Sequence, residues 1–132
     1  MLYISMQSLS GNRVSLKDIA KKIDSPEAFT AKILQQLARD GIIDSVKGPT
    51  GGFEVSRERI DDIKLIEIVS AIDGDEIFRG CALGLKGCNE LMPCPVHDKF
   101  KAIRDDLEHM LAHTSIYELA SGLEVGLTFL KR

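Results

Sequence analysis

The sequence lacks tryptophan, has few aromatic residues and contains no long apolar run. No stretch approaches the roughly 20 apolar residues that a membrane-spanning helix needs. Residues 1–11 also lack the basic region and the cleavage site of a signal peptide. We therefore expect a cytoplasmic protein with no membrane partner, and the 44% of hydrophobic residues in 132 predict a folded chain with one ordinary core.

Cysteine is also scarce, but all of it is crowded into one segment. Cys81, Cys88 and Cys94 lie with His97 inside residues 80–97, a stretch rich in glycine and proline. Thiols stay reduced in the cytoplasm, and an odd number of cysteines leaves one of them outside any disulfide. The crowding therefore indicates metal or redox chemistry.

Sequence patterns typical of catalysis are missing. There is no glycine-rich phosphate loop and no paired carboxylate motif, and the only candidate nucleophile is a cysteine near His97. We therefore predict that the chain is not an enzyme.

The net charge of −3 is unevenly distributed. Residues 1–57 carry eight Lys and Arg against six Asp and Glu, whereas residues 58–132 carry nine against fourteen. The N-terminal half is thus the part that we expect to approach a nucleic acid.

Two short amphipathic helices are predicted in that half. Residues 15–23 begin with a capping-box pattern, and residues 25–41 have Ser25 as the predicted N-cap, Pro26 at the first helical position and Gly41 as the stop. The short link between them forces a sharp turn, as in a helix-turn-helix. Their apolar stripes are Leu16, Ile19, Ala20 and Ile23 in the first helix, and Phe29, Ile33, Leu34 and Leu37 in the second.

A glycine-tipped hairpin follows the two helices. Residues 42–57 contain two short β-type runs around Gly48, Pro49, Gly51 and Gly52. This order predicts a mainly α fold with a small β-hairpin wing, that is, a winged helix-turn-helix domain.

The polar face of the second helix suits a DNA major groove. Small side chains allow close approach, Gln pairs with adenine, and Lys and Arg pair with guanine or phosphate. The alternative is a solvated helix face, and the hairpin that follows favours DNA. The predicted contacts are Ala28, Ala31, Lys32, Gln35 and Arg39 on the helix, with Lys47, Gly51 and Gly52 on the wing and Lys17, Lys21 and Lys22 for phosphates.

The second half of the chain is predicted to continue with a helix, a loop and a longer helix. The helix runs from Asp61 and Asp62 to Gly74, with Leu65, Ile68, Val69 and Ile72 on its apolar face, and residues 75–95 form a loop. The longer helix starts near His97 and has a narrow seam that packs either on its own domain or on a twin helix in a homodimer. We favour the homodimer, and the seam consists of Phe100, Ile103, Leu107 and Met110.

The predicted organisation has three parts. Residues 1–75 form the DNA-binding domain, residues 76–97 the cysteine-rich loop, and residues 98–132 the dimerisation helix and tail. A capping box at Ser115 and Glu118 predicts a last short helix, and His109 and His113 are interpreted as surface residues.

Three thiolates and an imidazole suit zinc or an iron–sulfur cluster equally well. The spacings of six, five and two intervening residues are wider than the tight knuckles of structural zinc sites. Metal-free redox thiols are a third alternative. The alternative to a cluster-based sensor is therefore a zinc-stabilised or thiol-redox module that binds DNA or another protein. His97 is alternatively a solvated residue in the first turn of its helix.

Several segments together resemble the Rrf2 family of bacterial winged helix-turn-helix transcription regulators, which includes iron–sulfur and nitric-oxide-sensing members. They are SLKDIAKKI, SPEAFTAKILQQLARDGII, VKGPTGGFEV, IKLIEIVSAIDG and the loop with Cys81, Cys88, Cys94 and His97.

The resemblance implies a homodimer that binds near-palindromic, double-stranded promoter DNA. It implies a cluster held by the three cysteines, [2Fe–2S] rather than [4Fe–4S], which purified protein can lack. His97 matches the remaining ligand of the cluster-regulator branch. Other branches take an acidic ligand from the start of the chain, where this sequence has no Asp or Glu before Asp18. The implied signal is iron supply, redox state or nitric oxide.

Overall fold

The structure is a computed structural model that describes residues 1–87 and 89–129. Its described part is mostly helical with one two-stranded sheet, which confirms the predicted fold class. None of the helices in this part is long and apolar enough to cross a membrane. The elements in chain order are α1 (Leu2–Leu9), α2 (Leu16–Lys22), α3 (Glu27–Arg39), β1 (Asp44–Val46), β2 (Gly52–Glu54), α4 (Leu65–Asp73), α5 (Glu76–Arg79), α6 (His97–His113) and α7 (Ile116–Glu124).

Helices α2 and α3 form the predicted helix-turn-helix. The Ser15 hydroxyl caps α2 by accepting a hydrogen bond from the backbone N–H of Asp18 at 3.1 Å. Asp24 takes a left-handed conformation, with φ 51°, and this turns the chain sharply into α3. Ser25 is not the N-cap that the sequence suggested, because α3 begins at Glu27 and Pro26 holds the cap position without a side-chain cap.

The buried face of α3 is rotated from the predicted one. Thr30, Leu34 and Leu37 are buried, and they lie at the i, i+4, i+7 spacing of a single helical stripe. Phe29 was predicted to belong to that stripe, but its side chain is 59% exposed. One residue corresponds to about 100° of rotation, so burying the stripe through Thr30 turns Phe29 outward.

The wing is an antiparallel hairpin that is joined to the loop before α2. In the register, Ser45 pairs with Phe53 and Val46 with Gly52. Phe53 also exchanges backbone hydrogen bonds with Val14, at 2.8 and 3.1 Å. The hairpin is therefore fixed to the body of the domain along β2.

Helix α1 was not predicted from the sequence. It packs against α7 and β2, and Ile4, Ser5 and Ser8 are its buried residues. The Ser8 hydroxyl donates to the carbonyl of Ile4 at 2.8 Å and accepts from the N–H of Val55 at 2.9 Å. Two of the three buried positions of α1 are therefore serines, and without apolar residues there the sequence has no helical periodicity that would predict α1.

The second half departs from the prediction at two boundaries. Helix α4 begins at Leu65 rather than at Asp61, because residues 57–62 form turns, in which Ile60 is buried, and lead to the buried Ile63. It ends at Gly74, whose φ of 77° favours glycine. The segment 75–95 was predicted as a loop, but the structure places the four-residue helix α5 at its start.

Helix α6 starts at His97 as predicted, and its C-terminal end is attached to the winged domain by backbone bonds. The carbonyl of Thr114 accepts from the N–H of Leu65 at 3.0 Å, and the N–H of Ile116 donates to the carbonyl of Ile63 at 2.9 Å. Ile116 is fully buried in the same core as Ile4. Helix α7 therefore packs with the winged domain, and its start is capped by Ser115 as predicted.

Candidate nucleic-acid interface and cysteine site

The predicted reading face of α3 is open to solvent. Ala28, Lys32, Gln35 and Arg39 are exposed, and Ala31 is half-buried. Because the opposite stripe of α3 packs into the core, these side chains point away from the body of the domain. The arrangement leaves a cationic helix face that a major groove can accept.

The glycines of the wing are required by its shape. A Cβ at Gly51 would lie 2.1 Å from the carbonyl oxygen of Val46, and one at Gly52 would lie 2.6 Å from that of Val14. Gly52 also has a φ of 141°, which other residues rarely adopt. These two positions therefore set the path of the wing, while the exposed Lys47 supplies its charge.

Arg13 joins the wing to the helix-turn-helix, and sequence reasoning did not identify it. Its Nε lies 3.0 Å from a carboxylate oxygen of Glu54, and Nη1 lies 3.5 Å from the carbonyl oxygen of Thr50. The two contacts reach β2 and the turn of the hairpin. A basic residue immediately before Val14, which pairs with the wing, is the only signal the sequence offers.

The cysteine site lies where the loop enters α6. Cys81, Cys94 and His97 line one small cavity together with Leu83, Phe100 and Arg104. His97 is 7% exposed, and Cys81 and Cys94 are half-buried. The N–H of His97 donates to the carbonyl of Cys94 at 3.0 Å, so the two-residue spacing becomes a turn that brings the two residues together.

Cys88, the fourth predicted ligand, lies outside the described residues. Among residues 1–87 and 89–129, no three His, Cys, Asp or Glu side chains converge closely enough to hold one metal ion. The site therefore consists of soft donors around a common cavity rather than a finished set of ligands. Two thiols and an imidazole in the described part match the chemistry of a group that takes sulfur ligands with a nitrogen in one position.

Arg104 is a further member of this site that the sequence analysis did not identify. One of its terminal nitrogens donates to the carbonyl of Gly80, the residue before Cys81. It lies seven residues after His97, which places both on one side of α6. The seven-residue spacing from His97 is the feature of the sequence that places Arg104 near the site, and the many other charged residues of α6 make it weakly specific.

The predicted seam of α6 lies beside its buried face. Ile103 is 63% and Met110 48% exposed, and Phe100 and Leu107 are half-buried. Leu111 and His97 pack inside the chain. The other side of α6 is solvated: Lys101 donates to Asp105 at 3.0 Å, and this hydrogen bond raises the pKa of Lys101.

A helix-turn-helix with an exposed cationic helix and a fixed wing defines a winged helix DNA-binding protein. The sequence profile of the Rrf2 family, described as iron-dependent transcriptional regulators, matches residues 1–122. The chain therefore belongs to the Rrf2 family. It is a transcriptional regulator and not an enzyme, and the resemblance found in the sequence is confirmed.

Named relatives agree with this assignment. An HTH-type transcriptional regulator of Aquifex aeolicus is 31% identical over 121 residues, which are 88% of this chain and 83% of the relative. The regulator IscR of Photorhabdus laumondii is 26% identical over 125 residues, 95% of this chain and 74% of the relative.

Two solved structures share the fold at low identity. CymR of B. subtilis, the global cysteine regulator, has a TM-score of 0.71 and 21% identity, and the match covers 91% of this chain and 86% of CymR. IscR of T. potens has a TM-score of 0.69 and 19% identity, covering 98% of this chain and 88% of the other.

Proposed function

We propose that this regulator is a homodimer that reads promoter DNA with α3 and the wing and senses iron, redox state or nitric oxide through an iron–sulfur cluster. The observation that carries the proposal is the cavity at the start of α6, which is lined by Cys81, Cys94 and His97. In this proposal residues 1–75 bind DNA, residues 76–97 hold the cluster, and residues 98–132 contain the dimerisation helix and the tail, with the dimer contact on α6.

The cluster is held by Cys81, Cys88, Cys94 and His97, and [2Fe–2S] is the expected form. Thiolates are the usual ligands of such clusters, and imidazole replaces them in known cases. A bound cluster supplies a centre that iron limitation, oxygen or nitric oxide can remove or modify. The names of the IscR relatives and the iron-dependent description of the family support this choice over zinc.

The packing of the helices supports a route from the cluster to DNA. The loop leads directly into α6, α6 packs against α4, and α4 packs against the reading helix α3. A change in the loop that shifts α6 would therefore reach α3 through one intermediate helix. Its effect on DNA affinity is limited by the free-energy difference between the two states of the loop.

The exposed part of the α6 seam supports the homodimer. Ile103 and Met110 lie on one stripe and are exposed in a single chain, whereas the charged residues of α6 occupy the remaining solvent-facing surface. Apolar side chains at heptad-like spacing are covered when two such helices pair. The partner on this face is a second copy of the chain.

The test is anaerobic reconstitution followed by iron and sulfide analysis and a visible spectrum. Wild-type protein should be brown, and Cys81→Ala, Cys88→Ala and Cys94→Ala should each be colourless, because a missing thiolate exposes iron to water. His97→Ala should hold a short-lived cluster, and His113→Ala, on the exposed end of α6, is the matched control that should behave as wild type.

Cluster content, zinc content and response to oxidation distinguish the three kinds of site. Full cluster content in any cysteine variant would remove that residue from the site. Colourless wild-type protein with stoichiometric zinc would replace the cluster by a structural zinc. Colourless, metal-free protein whose DNA affinity changes with thiol oxidation would make it a thiol-redox regulator.

A further inference from the structure

Arg104 occupies an unusual position for an arginine in a charged, solvent-facing helix. Its side chain is half-buried and lines the cavity of Cys81, Cys94 and His97. It bonds to the carbonyl of Gly80, which lies 24 positions earlier in the sequence. Arg104 is therefore a direct link between the body of α6 and the start of the cysteine loop.

The second donor of Arg104 is buried as well. Its Nε has no hydrogen-bond partner among the described residues, and Arg104 is in neither of the two ion pairs found there. A buried charged donor without an acceptor costs free energy, so such groups normally meet an acceptor when the site is complete. The other residues that line the cavity offer sulfur atoms and an imidazole but no carboxylate.

A bound cluster would supply a hydrogen-bond acceptor for Nε of Arg104 and a negative charge beside its guanidinium. Thiolates and the sulfides of a cluster are anionic and accept hydrogen bonds, and such bonds together with local charge tune clusters and metal sites. A guanidinium beside the sulfurs would stabilise the ligated state and would favour reduction, which adds negative charge to the cluster.

We propose that Arg104 is a positioning residue for the cysteine site: one arm holds the backbone at Gly80 against α6, and Nε–H donates to sulfur when the cluster is bound. The proposal rests on the cluster function proposed above. In this proposal Arg104 transmits the binding or loss of the cluster in the cysteine loop to α6. The packing of α6 on α4 and of α4 on α3 then carries the change to α3.

Two substitutions separate the anchoring arm from the charge. Arg104→Lys keeps the charge but lacks the planar fork that reaches two acceptors, whereas Arg104→Gln removes both the fork and the charge. Lys101→Gln is the matched control, since it removes the same charge from an exposed position three residues away on α6.

The measurements use full-length, anaerobically reconstituted protein. We expect the rate of cluster loss to a chelator to rise 10- to 100-fold in both Arg104 variants, the usual effect of losing a residue that supports metal ligands. The redox equilibrium of the cluster should shift at least tenfold toward the oxidised form in Arg104→Gln only, which is about 59 mV for one electron. Lys101→Gln should match wild type in both.

Hydrogen exchange of the metal-free protein gives a readout that needs no cluster. Losing the bond to Gly80 should raise exchange in the peptide that contains residues 80–82 in both variants. Unchanged exchange would overturn the anchoring role. Wild-type cluster lifetime and potential in Arg104→Gln would overturn the donation to sulfur, whereas wild-type protein without any cluster would overturn the cluster function itself and the donation with it.

Discussion

Replacing Ile103 by Asp should convert the proposed dimer to a monomer without unfolding the chain. Ile103 is 63% exposed in one chain, so an aspartate there is solvated in the monomer and should change folding stability by no more than about 0.5 kcal/mol. The same side chain lies in the seam that we assign to the partner. The substitution therefore acts almost entirely on assembly.

The expected loss of dimer affinity follows from symmetry. Each copy loses the burial of the 63% of Ile103 that is exposed in one chain, about 1–2 kcal/mol, and gains a partly desolvated charge that costs a further ~2 kcal/mol or more. A two-fold dimer contains the change twice, so the total is on the order of 6–8 kcal/mol. Every 1.4 kcal/mol is about tenfold, so a nanomolar dimer would weaken beyond the micromolar range.

Sedimentation velocity at about 10 µM protein distinguishes the outcomes, because a dimer whose dissociation constant lies above the micromolar range is mostly monomer at that concentration. Ala102→Asp is the matched control, because it adds the same charge to an exposed position about 100° around the helix. Wild type and control should sediment as dimers, and Ile103→Asp as a monomer with wild-type circular dichroism. A dimeric Ile103→Asp variant would refute the assignment of this seam.

Three further predictions concern DNA binding and the core. Lys32→Ala should weaken operator binding in fluorescence anisotropy, and Lys47→Ala should weaken all sequences alike and lower the salt slope by about one; unchanged binding in both would exclude this face. Gly52→Ala should displace the wing from Val14 and reduce DNA affinity; wild-type binding in the same titration would contradict this role of the wing. Leu37→Ala, at a position 1% exposed, should cost about 2–5 kcal/mol in urea unfolding, and a loss below 1 kcal/mol would place Leu37 outside the core.

The DNA-binding part was predictable because its signals are local. The Ser15 cap, the stop at Gly41 and the glycines of the hairpin each fix a nearby turn or helix end. Such local features can be recognised directly in the sequence. The rotation of α3 was not predictable in the same way. Phe29 is more apolar than Thr30, and only packing against the rest of the core decides which of them is buried.

Helix α1 and Arg104 were missed for a related reason. Ser5 and Ser8 are buried in α1, and Ser8 is suited to that place by its bond with Val55, a residue 47 positions away. Arg104 acquires its position from Gly80 on another part of the chain. Polar residues whose partners are distant in sequence carry no periodic signal, whereas the proximity of Cys94 and His97 follows from their short spacing.

The backbone bonds between Thr114 and Leu65 and between Ile116 and Ile63 have a mechanical consequence for the way a signal can travel. They anchor the C-terminal end of α6, a helix of 17 residues, or about 25 Å, while the cysteine loop is connected to its other end. A rigid helix that is held at one end can rotate about that end but cannot move along its own axis. Movement at the cysteines would therefore tilt the first turns of α6 most, and the turns next to Thr114 would act as the pivot.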